Sequence, residues 1–390
     1  MTTPPPRIAR RMADIEPFHV MDLLARARAL EAQGRSIVHM EIGEPDFATA
    51  PAIMEAGCRA LRAGHTHYTP ALGLPELRAA IAEHYHRHYG VAVHPEQVVV
   101  TPGASGALQL VLGVLVDPGS AVLMTDPGYP CNRHFVRLFE GRAVGLPVDA
   151  ASAYQLTPEQ VERHWDADTV AVLLASPSNP TGTLVTAPAL DGIRAVAGNR
   201  RGVLIADEIY HGLVYAAAAP TVAGAEHAFV INSFSKYFGM TGWRVGWIVS
   251  PPAYVRELDK LAQNLFLAAS TPAQHAALAA FHPDTLAVLD ARRREFQARR
   301  DYLLPALREL GFRIPAVPAG AFYIYADCSA FTEDSDGFAR DLLEHAGVAV
   351  TPGRDFGHHA PQRHLRFAYT TSLEHLQEGV ARLRAHLARG

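Results

Sequence analysis

From residue 97 onward the chain repeats one pattern that leaves few folds open to it. Short apolar runs end in polar or glycine-rich turns, and helix-like stretches separate them. Runs at 98–100, 121–124, 170–174, 203–206, 229–231 and 245–249 carry almost no charge. A strand with no polar alternation is buried on both faces, which is the condition of a mostly parallel sheet covered by helices. The turns that follow hold the chemistry: Gly103-Ala104-Ser105-Gly106, Asp126-Pro127-Gly128-Tyr129, Asn179-Pro180-Thr181-Gly182, Asp207-Glu208-Ile209-Tyr210 and Ser233-Phe234-Ser235-Lys236. In open α/β sheets, ligands bind outside the carboxyl ends of the strands. These turns are therefore expected to converge in space.

The flanks read differently. Residues 1–12 suggest a loose arm. Helices are expected at 22–33, 52–63 and 75–89, with a short strand at 37–42 leading into Gly43-Glu44-Pro45-Asp46-Phe47. A helical stretch runs from 252 to about 308, with one long amphipathic helix at 291–310. Short strands at 321–326, 348–350 and 365–369 then alternate with helices at 337–346 and 373–388. At 390 residues the chain is too long for one core. The expected division is an N-terminal segment 1–48 that joins the small domain, a large α/β domain 49–290 and a small α+β domain 291–390.

Several classes are disfavoured. A net charge of −4 gives no electrostatic footprint for nucleic acid or membrane surfaces. No apolar run approaches the roughly 20 residues of a membrane span, and residues 1–11 lack the apolar core of a secretory signal. Cys58, Cys131 and Cys328 are too few and too scattered for a disulfide framework, which suits a reducing cytoplasm. His84, His86 and His88 alternate within a helix and so do not share one face as three metal ligands; His358 and His359 lie in a loop. No metal site is expected.

Of 35 lysine and arginine residues only Lys236 and Lys260 are lysines. A guanidinium is a poor nucleophile, whereas a lysine amine can lose its proton and form a Schiff base. Lys236 lies in Ser-x-Ser-Lys, with Arg244 eight residues on. With the turns above, in this order, the chain resembles the pyridoxal-phosphate-dependent aminotransferases of class I/II (the aspartate aminotransferase superfamily, fold type I) from about Ile15 to the C-terminus.

The resemblance implies roles. Lys236 would form the Schiff base with pyridoxal 5′-phosphate and then shuttle the substrate α-proton. Ser233 and Arg244 would hold the phosphate, with Ser235 as an accessory and the backbone of Ala104 and Ser105 at a helix N-terminus. Asp207 would keep the ring nitrogen protonated, Asn179 and Tyr210 would bond the ring oxygen, and Tyr129 would stack on the ring. Tyr68 would reach the phosphate of a second subunit, which implies a homodimer with a shared site. Arg366 would grip the substrate α-carboxylate, Asn179 and Gly43 would lie against it, and Phe18 would border the side-chain pocket. The substrates would be an amino acid and a 2-oxo acid such as 2-oxoglutarate or pyruvate. No arginine is placed for a second carboxylate beyond a weak candidate, Arg133. With Phe18 this favours neutral or aromatic donors. A carbon–sulfur β-lyase using the same residues is the alternative. A transcriptional regulator of related fold would need a DNA-binding module before the first family-like segment, and that segment already begins near Ile15.

Overall fold

The computed structural model describes residues 7–215 and 218–389. Its strands, in chain order, are β1 (Val38–His39), β2 (Val98–Thr101), β3 (Ala121–Asp126), β4 (Arg142–Pro147), β5 (Thr169–Ala175), β6 (Val203–Asp207), β7 (Ala228–Ser233), β8 (Gly246–Val249), β9 (Tyr323–Asp327), β10 (Val348–Ala349), β11 (Thr351–Pro352) and β12 (His364–Ala368). Seven of them form one sheet in the order β2-β8-β7-β6-β5-β3-β4. All its neighbours are parallel except those of β8, which runs antiparallel to β2 and β7. The central strands β5, β6 and β7 are buried along almost their whole length, and separate apolar clusters pack on the two faces of the sheet. The α/β class follows directly from the uncharged runs.

Two differences from expectation have plain causes. Strand β4 was not expected: it is a mostly exposed edge with Arg142 and Gly145 in it, so it lacks the apolar signature of its neighbours. The strand expected at 348–350 forms as β10, and a second short strand, β11, follows it that was not expected. Val348 pairs with Val38 in a parallel two-stranded ribbon, and Thr351 pairs with Arg366 in the antiparallel sheet β11-β12-β9.

The first four helices are α1 (His19–Glu31), α2 (Pro51–Arg62), α3 (Pro75–Tyr89) and α4 (Gly103–Leu115). Helix α3 has Pro75 at its first position and ends at Gly90, whose φ of 67° takes the left-handed conformation that closes a helix. Helix α1 has no side-chain cap of its own. Its first amides, at His19 and Val20, instead donate to the buried carboxylate of Asp355, at 3.0 and 2.9 Å. The arm expected before it is partly ordered. Residues 1–6 lie outside the described residues, but Arg10–Asp14 forms a 3-10 turn tied down by Arg11–Glu140 and Asp14–Arg137 ion pairs. The long helix spans Pro283–Glu309, starting earlier than its amphipathic pattern suggested because Pro283 and the His282 side chain set its N-terminus.

Candidate active site

Because β3, β5, β6 and β7 are parallel, their carboxyl ends lie on one edge of the sheet. Tyr129 follows β3, Asn179 follows β5, Asp207 ends β6 and Lys236 follows β7. All four line one cavity of about 540 Å³, together with Phe18, Gly43, Ala104, Ser105, Tyr210, Ser235, Arg244 and Arg366. Two expected residues are elsewhere. Ser233 is 1% exposed and sits behind Ser235, its Oγ 2.9 Å from the Ser235 Oγ and 3.0 Å from the Val245 carbonyl. The expectation put Ser233 first; it is Ser235 that faces the cavity. Tyr68 is 83% exposed and lies off the cavity.

The lysine turn is held from below. Phe234 is fully buried against Trp247, with ring centroids 4.9 Å apart, and also packs on Phe238 and Phe281. That anchor directs Ser235 and Lys236 outward. The Lys236 Nζ donates to the Gly43 carbonyl at 2.8 Å. Burial of the amine lowers its pKa to about 8; Arg366 and Arg244 act in the same direction, against Glu44 and Asp207. A far larger fraction of this amine is uncharged at neutral pH than of an ordinary lysine.

Asp207 is buried at the end of β6, its Oδ1 accepting from the Ile209 amide at 3.1 Å. Burial raises its pKa to about 6, opposed by that amide and by Lys236. It remains mostly a carboxylate at neutral pH. Helix α4 begins at Gly103 itself, so Ala104 and Ser105 lie in its first turn. No side chain caps that turn, and free amides at a helix N-terminus attract anions. Gly103 has φ 72°, and a Cβ there would lie 2.6 Å from the Arg244 Nη2. Only glycine lets the guanidinium close over the helix end. Arg244 Nη1 also donates to the Thr241 carbonyl at 3.0 Å and lies 3.5 Å from Ser235 Oγ.

Arg366, on β12, is 2% exposed. Its Nη1 donates to Asn179 Oδ1 at 3.0 Å, and its Nη2 donates to the Glu41 carbonyl and to Thr351 Oγ1. Nε has no partner despite being buried. The guanidinium lies 4.4 Å over the Tyr323 ring and 4.9 Å over that of Phe356.

Tyr323, Glu41 and Arg28 are among the lining residues that escaped the sequence reading. Tyr323 Oη lies 2.9 Å from Tyr210 Oη; the sequence reading placed this residue only within the short strand at 321–326. Glu41 is fully buried, pairs with His39 Nδ1 at 2.7 Å, and leaves Oε2 without a partner. An acid between Met40 and Ile42, just before Gly-Glu-Pro, was the available signal. Arg28 on α1 also lines the cavity. Conversely, Arg133 turns to the Asp355 carbonyl at 2.9 Å and lines a smaller neighbouring cavity. His84 and His88, four residues apart, do share a face, with rings 4.3 Å apart. His84 is kept neutral by burial, its pKa lowered to about 3. Among the described residues no group of three His, Cys, Asp or Glu side chains could hold a metal ion.

A buried carboxylate, a partly deprotonated lysine, an anion cradle and a clamped arginine in one cleft define an α/β enzyme equipped for amino-acid chemistry. The family described as aminotransferase class I and II matches residues 35–383. The valine–pyruvate aminotransferase of Mycobacterium tuberculosis is 36% identical over 97% of both chains. The aspartate/prephenate aminotransferase of Thermus thermophilus is 34% identical over 98% of this chain and 99% of its own. The crystal structure of an aminotransferase from Mycobacterium tuberculosis superposes with a TM-score of 0.95 at 36% identity, covering 99% of this chain and all of that one. The chain belongs to the class I and II aminotransferases, and it is an aminotransferase of fold type I. The lyase alternative finds no support in these relatives.

Proposed function

We propose that this chain binds pyridoxal 5′-phosphate through Lys236 and moves the amino group of an L-amino acid to a 2-oxo acid by a ping-pong mechanism. The observation that carries the reading is the single cavity in which Lys236, Asp207, the α4 N-terminus with Arg244, and Arg366 meet. The residues fit the group. The uncapped α4 turn and Arg244 suit a phosphate dianion; Asp207, ionised at neutral pH, suits a protonated ring nitrogen; Tyr210 and Asn179 suit the ring oxygen; and Tyr129 suits a ring face. When bound, the cofactor supplies an electron sink for the substrate α-carbon.

The chain's own residues do the rest. Arg366 fixes the α-carboxylate, its unpaired Nε marking unused donor capacity. Lys236, its pKa lowered to about 8, would take the α-proton of the substrate and hold it beside the cofactor. Ser235 and Ser233 form a paired hydroxyl relay beside Arg244. Phe18 and the face of α1 receive the side chain, which favours neutral or aromatic donors, and the relative that takes valine supports that preference.

In this reading residues 49–290 form the cofactor-binding domain. Residues 1–48 and 291–390 form the smaller one, consistent with the pairing of β1 to β10. Tyr68 is exposed and off the cavity of its own chain, which suits a role at the phosphate of a second subunit and so a homodimer. No helix among the described residues is long and apolar enough to cross a membrane. The three cysteines are unpaired, in keeping with a cytoplasmic enzyme.

The test is spectroscopic and kinetic. Protein loaded with pyridoxal phosphate should show a visible absorption band that borohydride reduces onto Lys236, and Lys236→Ala should abolish the attachment. A panel of amino donors with 2-oxoglutarate or pyruvate should show amino transfer. Ammonia and pyruvate from cystathionine, with no amino transfer, would replace this reading with a lyase.

A further inference from the structure

Asp126, the last residue of β3, is buried, and its carboxylate makes no ion pair with any described residue. Its oxygens accept instead from backbone amides of a turn far along the chain. The His358 amide lies 3.0 Å from both Oδ1 and Oδ2, and the His359 amide lies 3.2 Å from Oδ1. Two residues on, the Gly128 amide donates to the Phe356 carbonyl at 2.8 Å. The end of β3 and the 356–359 turn are thus bonded in both directions. Glycine clears room for the carboxylate on two sides. A Cβ at Gly357 would lie 1.8 Å from Asp126 Oδ1, and one at Gly145, on the neighbouring β4, would lie 3.2 Å from Oδ2.

A carboxylate that accepts from nearby amides is usually a local turn device. This turn carries more than itself. Asp355 holds the first amides of α1, and Phe356 lies under the Arg366 guanidinium at 4.9 Å. Strand β3 is paired on both sides, with β4 and with β5. The sheet end of the clasp is therefore fixed, and the turn is the part that is held. Released, the turn has somewhere to go: a cavity of about 100 Å³ lies against it, lined by Tyr129, Asn132, Phe356, Gly357 and His358 among others.

We propose that Asp126 is a positioning residue for the substrate carboxylate: by clasping the 356–359 turn to the large sheet it keeps Phe356 beneath Arg366, and so keeps the guanidinium where the α-carboxylate binds. This rests on the aminotransferase reading for the role of Arg366. It adds to that reading a residue outside the lining of the cavity. A small misplacement of a binding group, caused at a distance, is enough to weaken a substrate's hold.

The experiment compares wild type, Asp126→Ala, Asp126→Asn and Gly357→Ala as cofactor-loaded proteins. Asparagine keeps one carbonyl oxygen for the two amides and alanine keeps none, whereas Gly357→Ala leaves the carboxylate in place and pushes the turn off it. KM for the amino acid and for the 2-oxo acid should rise at least fivefold in Asp126→Ala and in Gly357→Ala and less in Asp126→Asn, and in each variant kcat should fall less than KM rises. Calorimetry with butyrate, which has a carboxylate but cannot turn over, reads the grip of Arg366 without catalysis: its dissociation constant should rise at least fivefold in the two alanine variants and less in Asp126→Asn. The dissociation constant of pyridoxal phosphate should stay within twofold of wild type, because Lys236, Arg244 and the α4 N-terminus are not held by this turn; general damage to the fold would move it too. Butyrate affinity and KM within twofold of wild type in the alanine variants overturn the assignment, and so does a loss of cofactor affinity as large as the loss of butyrate affinity. Should Asp126→Ala fail to fold, Asp126→Asn and Gly357→Ala make the same comparison. If no donor and acceptor pair gives amino transfer in the wild type, the proposed function fails instead, and the butyrate measurement alone decides whether Asp126 positions Arg366.

Discussion

Replacing Gly43 with alanine is expected to be costly for a reason that concerns neither the turn nor glycine's flexibility. A Cβ at this position would lie 1.8 Å from the Tyr323 hydroxyl oxygen, far inside the 3.4 Å at which ordinary contact begins. Tyr323 cannot swing aside. It is buried, the Arg366 guanidinium covers its ring, and Tyr210 and Phe322 pack against it edge-on. Either the ring moves and breaks the Tyr210–Tyr323 hydrogen bond, or the backbone moves and takes the Gly43 carbonyl away from Lys236. Overpacking costs about 1–3 kcal/mol, and a buried hydroxyl left unpaired costs about 1–3 kcal/mol more. Gly43→Ala should therefore lose about 2–6 kcal/mol of stability. Tyr323→Phe alone, which strands the Tyr210 hydroxyl, should lose about 1–2 kcal/mol. It also removes the atom that clashes, leaving Cζ at 2.8 Å as the nearest. Most of the overlap with alanine is then relieved. In the double variant the two effects should fall short of additive by at least about 1 kcal/mol. The assay is urea unfolding of the cofactor-free proteins, followed by two probes whose transitions coincide; omitting the cofactor keeps binding linkage out of the comparison. Additivity within about 0.5 kcal/mol would refute the contact as the reason for glycine at residue 43.

Three further outcomes follow from the same geometry. In the cofactor-free protein, carbamylation of Lys236 by cyanate, located by mass spectrometry, should rise with pH around a midpoint of about 8, since burial lowers its amine from 10.5; a midpoint still at the ordinary lysine value would contradict the buried environment. His39 is raised to about 9, chiefly by its hydrogen bond to Glu41 and against its own desolvation. A raised folded pKa means that the contribution is complete below the ordinary histidine value and lost as pH climbs through the raised one; allowing for screening of a partly exposed ring, this window should hold about 1–3 kcal/mol of pH-dependent stability that His39→Gln removes, as measured by unfolding from mildly acidic to alkaline pH. Asp355→Ala uncaps α1 and should cost about 1–2 kcal/mol; because α1 walls the cavity, KM for the amino donor should rise more than kcat falls in steady-state assays.

The sequence announced the large sheet because its strands are buried on both faces, and burial on both faces leaves an uninterrupted apolar run. It announced the polar site for a related reason: a glycine, hydroxyl or acid directly after such a run has few structural reasons to be there. What stayed hidden obeys the opposite conditions. Strand β4 is an edge and carries a surface composition. Strands β10 and β11 are very short and turn to opposite directions of the chain for their partners, β10 to Val38 and β11 to Arg366, which no local period encodes. Tyr323 is a core residue of a short strand; its hydroxyl matters through Tyr210 and Gly43, both remote from it in sequence.

The N-terminal helix shows most clearly why local reading stops short of the site. Its own residues supply a stripe of apolar side chains and no cap. Its start is set by Asp355, and the Asp355 carbonyl in turn holds Arg133. The next residue, Phe356, packs under the Arg366 guanidinium. The positions of the α1 wall and of Arg366 are thus fixed by adjacent residues of one short turn. Arg366 is also bonded to Asn179 at the end of β5, on the large sheet. Arg366 is thereby tied both to the α1 wall, through the Asp355–Phe356 turn, and to the large sheet that carries Lys236, through Asn179.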